Sequence, residues 1–189
     1  MEHTHERFPE YLAFLLSNPI RRFLQSPEQL IAKLDVTSND VVVDFGCGPG
    51  FYAIPLAKVA RKVIGVDVSP EILEKAVNHA QRNGVHVEFL KSDGTNIRLE
   101  NGSVDVILLV HVFHEVENKP RVLSEFLRIL KSQGRLVVVE RTRGSGIFSG
   151  KLGPPTVSET VIVQEIARAG FTIARTIPHR KDSIITGRK

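Results

Sequence analysis

Three glycines at alternate positions, Gly46, Gly48 and Gly50, directly follow the apolar run Val41-Val42-Val43-Asp44-Phe45. A valine-rich run of this length suits a strand covered on both faces. Glycines spaced by two then set a tight turn in which backbone, not side chain, faces whatever lies above it. The chain must therefore build a sheet with this strand inside it and a ligand-sized opening at the strand's carboxyl end.

The remaining pattern supplies such a sheet. Short apolar runs at 41–45, 62–67, 86–90, 104–110 and 135–140 alternate with amphipathic stretches, as parallel strands joined by helical crossovers do. Ile54, Leu56, Ala57 and Ala60 outline a helix after the glycine turn. Ser69-Pro70-Glu71 caps a second, and Asn118-Lys119-Pro120 opens a third that Gly134 is expected to stop. A further helix spans Ser158 to Ala169. Residues 171–177 and 183–188 follow as two antiparallel strands joined by the turn Pro178-His179-Arg180-Lys181-Asp182. Before the alternation begins, Ser26-Pro27-Glu28 starts a helix bearing Leu30, Ile31 and Leu34, which is expected to pack over one edge of the sheet.

A chain of 189 residues fits one domain. The lone Cys47 excludes an internal disulfide and a cysteine-built zinc site. No apolar run approaches the roughly 18 residues that would span a bilayer, and the polar opening Met1 to Arg7 is not a signal peptide. The expected location is cytoplasmic, with no membrane contact. The net charge of +4 is a mild bias toward anionic partners.

Asp67 ends its strand about 20 residues beyond the first glycine, the spacing at which a nucleotide site places a carboxylate on ribose hydroxyls. An acid at a strand end also serves as a helix cap. Phe51 stands where a dinucleotide fingerprint needs a small residue, which favours a phosphate-free nucleoside ligand.

With these residues in view the sequence resembles the class I S-adenosylmethionine-dependent methyltransferases. Asp44-Phe45-Gly46-Cys47-Gly48-Pro49-Gly50 matches their first motif and Asp67 their ribose acid. Ser92-Asp93-Gly94 matches their adenine loop, Val104 to Val116 their fourth motif, and Leu130 to Leu136 the turn into their fifth strand. The resemblance implies an α/β, Rossmann-like fold: a seven-stranded sheet ordered 3-2-1-4-5-7-6, last strand antiparallel, flanked by helices. It implies a helical lid segment over residues 1–35 and an S-adenosylmethionine-binding domain over 36–189. By the same likeness Gly46, Gly48 and Gly50 lie against the methionine part of the cofactor, and Asp44 lies near its amino group. Cys47 packs beneath it, Asp67 holds the ribose, and Val68 packs on adenine. Asp93, between Ser92 and Gly94, meets the exocyclic amine, and Val110 closes the fourth-motif strand beside the cofactor.

The fourth motif here reads Leu109-Val110-His111-Val112-Phe113-His114-Glu115 and lacks the Asn/Asp-Pro-Pro-aromatic tetrad of adenine-amine and glutamine methylators. His111 and His114 are the candidate general bases, although a strand-end histidine equally suits a hydrogen bond to a loop. Their grouping with Glu115, His3 and His5 matches no ligand spacing, so no metal is expected. Arg141, Arg143, Lys151 and His179-Arg180-Lys181 are expected at one basic rim, which fits an anionic small-molecule substrate and, less favoured, an RNA. Phe8, Tyr11, Phe14 and Phe148 suit contacts of a lid over a small organic substrate and equally suit ordinary core packing of that segment. Three functions follow: methyl transfer to a small molecule, methyl transfer to RNA or protein at the rim, and a non-catalytic cofactor-binding domain.

Overall fold

The computed structural model describes residues 27–142 and 157–189. The segment 8–25 with Phe8, Tyr11 and Phe14, the histidines His3 and His5, and Arg143, Phe148 and Lys151 lie outside them. Seven strands form one sheet in the order β3-β2-β1-β4-β5-β7-β6. These are β1 (Val41–Phe45), β2 (Lys62–Asp67), β3 (Glu88–Lys91), β4 (Val104–Val110), β5 (Leu130–Arg141), β6 (Thr172–His179) and β7 (Asp182–Arg188). Strands β1 to β5 are parallel to their neighbours in this set, and β7 runs antiparallel to both β5 and β6.

Alternation along the central strands divides the core into two layers. Val43, Phe45, Ile64, Val66, Ile107, Leu109, Leu136 and Val138 enter one apolar cluster, while Val42, Val63, Val106, Leu108, Val137 and Val139 enter the other. Each buried Val, Leu or Ile of this kind contributes roughly 1.5–3 kcal/mol, so the sheet is anchored from both sides at β1 and β4. The first layer is covered by α4 (Lys119–Ile129) and α5 (Glu159–Arg168), the second by α1 (Pro27–Ile31) and α2 (Ala53–Leu56). Helix α3 (Pro70–Arg82) packs on β2 and β3.

The helix starts follow their capping residues. The Ser69 hydroxyl accepts from Ile72 N–H at 3.2 Å and Asn118 Oδ1 from Arg121 N–H at 3.3 Å, each with proline in the first turn. Gly170 ends α5 with φ +108°. Leu30, Ile31 and Leu34 are buried; α1 ends at Ile31, and the turn that follows is tied to β5 and β6 through its carbonyls: Arg135 donates to Leu34 O at 3.1 Å and Arg175 to Lys33 O at 2.8 Å.

Several boundaries differ from the sequence reading. Gly134 does not stop α4; the helix ends at Ile129, and Leu130 is already extended as the first residue of β5. A Cβ on Gly134 would lie 2.9 Å from Leu130 Cδ2 and 3.0 Å from Lys131 O, so crowding at this bend explains the glycine. The β6–β7 turn contracts to Arg180 and Lys181, with Arg180 at φ +58°. Strand β3 begins at Glu88, later than expected, and α2 is a single turn that ends at Leu56.

Candidate functional site

The loops after β1, β2, β3 and β4, and the end of β5, lie at the carboxyl edge of the parallel strands, where ligands of open α/β sheets bind. Gly46 and Cys47 both donate backbone N–H to Val66 O, at 2.8 and 3.0 Å, which folds the glycine turn back over β2. Gly46, Gly48 and Gly50 have φ of +69°, +53° and +89°. Their reasons for being glycine differ. A Cβ on Gly46 would lie 2.5 Å from Val112 Cγ2, so this position is closed by the fourth-motif loop and not left clear for a ligand. A Cβ on Gly50 would meet Ile54 at 3.1 Å, the expected close packing of the next helix. A Cβ on Gly48 would meet nothing within 4 Å. Of the three, Gly48 faces the opening.

Asp44 lies beneath that turn, 2% exposed, and its Oδ2 is buried without a hydrogen-bond partner. Burial pushes its carboxyl up to about 7; the Ala53 N–H opposes the shift and the charge of Asp67 adds to it. An isolated buried carboxylate is costly, and a cationic group in the opening would relieve it. Asp67 Oδ2 accepts from Gly48 N–H at 2.9 Å and Oδ1 from Ser69 N–H at 3.1 Å. The acid thus braces the glycine turn and the start of α3 together, and each oxygen keeps a further lone pair. Val68 beside it is 61% exposed, an apolar side chain presented at this edge.

In the third loop Ser92 N–H donates to Asp67 O at 3.0 Å, and Ser92 Oγ accepts from Gly94 N–H at 3.0 Å. Asp93 Oδ1 accepts from the Thr95 N–H and hydroxyl, which hold its carboxyl below the usual range. Gly94, at φ +88°, makes room for Phe45, whose ring would sit 2.6 Å from an added Cβ. Cys47 is buried, with Sγ 2.9 Å from where a Gly65 Cβ would stand; burial raises its thiol far above the ordinary value, so it is packing and not a nucleophile.

The two histidines of the fourth motif have different partners. Val110 ends β4, and His111 follows at φ +57°, unusual for a residue with a Cβ. Its ring is held across the sheet, Nε2 lying 3.1 Å from Asp182 Oδ2 as an ion contact outside hydrogen-bond alignment. Arg141 Nε approaches the other oxygen of Asp182 at 3.6 Å. His114 lies on the 3₁₀ turn Phe113–Glu115, with Nδ1 at 3.1 Å from both carboxylate oxygens of Glu140. That hydrogen bond raises the His114 pKa above its ordinary value against the opposing effect of burial. Glu140 is 1% exposed.

Sequence reasoning missed Glu140 and Asp182. A signal for the first was present: a single acid closes the otherwise apolar strand Leu136-Val137-Val138-Val139, at the edge where ligands bind. Three members of the expected basic rim are already engaged: Arg141 by Asp182, the buried His179 by Lys33 Nζ, 3.0 Å from its Nδ1, and Arg180, which donates to Gln29 Oε1 at 2.8 Å.

A family model described as a methyltransferase domain matches residues 43–138, just over half of the chain, from within β1 to within β5. The chain belongs to the class I S-adenosylmethionine-dependent methyltransferases. A solved S-adenosylmethionine-dependent methyltransferase from Aquifex aeolicus superposes on this methyltransferase with a TM-score of 0.85 at 26% identity, covering 96% of this chain and 99% of that one. The [4+2]-cyclase SpnF gives 0.74 at 19% identity over 87% of this chain and 80% of that one, a likeness of fold alone. A ubiquinone biosynthesis O-methyltransferase from Rickettsia typhi is 29% identical over 128 residues, 64% of this chain. The chain spans about half the length of that relative, 51%. The sheet order is the one the resemblance implied. The residues present fit the family's cofactor: a buried orphan oxygen on Asp44, open space above Gly48, and an exposed apolar Val68.

Proposed function

We propose that this methyltransferase transfers a methyl group from S-adenosylmethionine to a small-molecule acceptor. The observation that carries the reading is the unpartnered, buried Oδ2 of Asp44 beneath an open glycine turn, a negative site awaiting a positive group. Asp44 would take the ammonium of the methionine part, and the open backbone at Gly48 its chain. Asp67 would hold the ribose hydroxyls, Val68 the adenine face, Asp93, with Ser92 and Gly94, the adenine edge, and Val110 would stand beside the cofactor at the end of β4. When bound, the cofactor supplies an electrophilic methyl: the S–C bond breaks as an acceptor lone pair bonds to carbon, and the electron pair returns to sulfur. The protein's share is alignment and exclusion of water.

A small acceptor is supported by two Rickettsia relatives named for O-methylation in ubiquinone biosynthesis. It is also supported by the rim, where Arg141 already has a carboxylate beside it, Asp182 Oδ1 at 3.6 Å from its Nε. The test is incubation with methyl-labelled cofactor and, separately, a small-molecule extract, total RNA and total protein. Label in the low-mass fraction is expected; label confined to RNA or protein would replace this reading with the macromolecular one.

A further inference from the structure

We propose that His114 and Glu140 form a proton-accepting pair at the acceptor side of the site, with Glu140 as a positioning residue and a weakly acidic hydroxyl, phenolic or enolic, as the group served. The proposal rests on the methyl-transfer reading above. Three observations carry it. First, Glu140 is buried at the carboxyl end of β5, yet it receives both His114 Nδ1 at 3.1 Å and the His114 backbone N–H at 3.3 Å. Burying a carboxylate is costly unless its partners repay it, and here both partners come from one histidine. Second, an acceptor-only carboxylate at Nδ1 fixes the neutral ring as the Nδ1–H tautomer, which leaves the Nε2 lone pair free to accept. Third, the turn bearing His114 is seated on the cofactor loop itself, because Val112 fills the space above Gly46. The pair is thereby fixed relative to the glycine turn.

His111 does not compete for this task. Its Nε2 is turned to Asp182, and its backbone N–H donates to Val139 O at 2.9 Å, so it anchors β4 to β5 and the β6–β7 turn. His114 Nε2 instead faces Glu115, whose Oε1 is 3.7 Å away on a side chain 63% exposed. The charged groups around the ring are Glu140 from β5, Glu115 from its own turn and Lys119 from α4; the two acids favour the imidazolium and Lys119 disfavours it. A carboxylate acceptor would bring no proton and would meet two like charges. An aliphatic alcohol holds its proton too tightly for imidazole, whereas a phenol, with a pKa near 10, lies within reach. As the hydroxyl oxygen bonds to the methyl carbon, its proton passes to Nε2. The imidazolium is balanced by Glu140 and later returns the Nε2 proton to water.

The test uses the full chain as wild type, Glu140→Gln and Glu140→Asp, saturated with S-adenosylhomocysteine for spectroscopy and supplied with S-adenosylmethionine for turnover. Glutamine can still accept from the His114 N–H groups, so a merely structural role survives in it. Nitrogen-15 NMR of the ring is expected to show the Nδ1–H tautomer in the wild type, and a His114 pKa lower by about one unit in Glu140→Gln. Methyl transfer to a panel of catechol, 4-hydroxybenzoate and 2-naphthol should rise with pH through the His114 pKa. In Glu140→Gln it should fall about 10- to 100-fold in kcat with KM within about twofold, and Glu140→Asp should restore part of the loss. An Nε2–H tautomer, an unmoved pKa, a pH profile that ignores the substitution, or no transfer to any of the phenols would each overturn the proposal. Calorimetry with S-adenosylhomocysteine separates the levels: binding with any of these failures defeats the pair alone, and no binding defeats the methyl-transfer reading beneath it.

Discussion

Gly46 and Val112 interlock. A Cβ on the glycine would stand 2.5 and 2.6 Å from the two γ-methyls of Val112, so the first and fourth loops of the site fit only because one of them lacks a side chain. Gly46→Ala should therefore cost about 3 kcal/mol, the sum of overpacking and a strained φ of +69°. Adding Val112→Ala should recover the overpacking part. Urea denaturation of the single and double variants checks this; equal destabilisation in both would show that the two side chains are not coupled.

Asp44 makes cofactor affinity pH-dependent. Its carboxyl, raised by burial to about 7, is mostly protonated at pH 6 and mostly ionised at pH 8. A cationic ammonium needs the ionised form, so S-adenosylhomocysteine should bind about tenfold more tightly at pH 8 than at pH 6, with proton release. The sign for the free protein is opposite. Because the folded pKa lies above the unfolded 3.8, this residue's effect on stability worsens as pH rises through about 7. Asp44→Asn should flatten the affinity profile and raise the stability of the free protein at pH 8, both readable by calorimetry.

Acid should unfold the protein through other carboxylates. Glu125, 9% exposed, accepts from Ile97 N–H at 2.7 Å and from Arg128 Nε and Nη2, both at 2.7 Å, which ties the β3–β4 connection to α4. The Arg128 hydrogen bond lowers its pKa. Asp105, bonded to Lys131 and to Val41 N–H, is lowered as well, its partners outweighing its own burial. Depressed carboxylates stabilise the fold above their unfolded pKa values near 4, and that stability is lost as pH falls through the folded ones. Glu125→Ala should cost about 3 kcal/mol at pH 7, since it strands a buried N–H and the guanidinium, and should cost less at pH 3, where the charged part of the interaction weakens in the wild type as well. Thermal melts at the two pH values test it.

The sheet could be read from the chain because β1, β2 and β4 are continuous apolar runs and because Gly46 and Asp67 are spaced as a nucleoside site requires. Helix α4 was misread at its end because a glycine after an amphipathic run suits a cap, and only the contact with Leu130 and Lys131 gives Gly134 its other reason. The separate tasks of Gly46 and Gly48 were hidden for the same cause: Val112 reaches the first from the loop after β4. His111 and His114 looked equivalent in sequence; their partners, Asp182 and Glu140, become neighbours only through the β4–β5–β7 pairing.

The central claim is that the open space above Gly48 receives the cofactor, and a matched pair of variants isolates it. Gly48 and Gly84 have similar left-handed backbones, φ +53° and +64°, and an added Cβ meets nothing within 4 Å at either. Gly48→Val and Gly84→Val should thus lose similar stability, about 1–2 kcal/mol from backbone strain. Titration calorimetry with S-adenosylhomocysteine should show wild-type affinity in Gly84→Val and no binding in Gly48→Val. Equal affinity in the two variants would contradict the placement of the site.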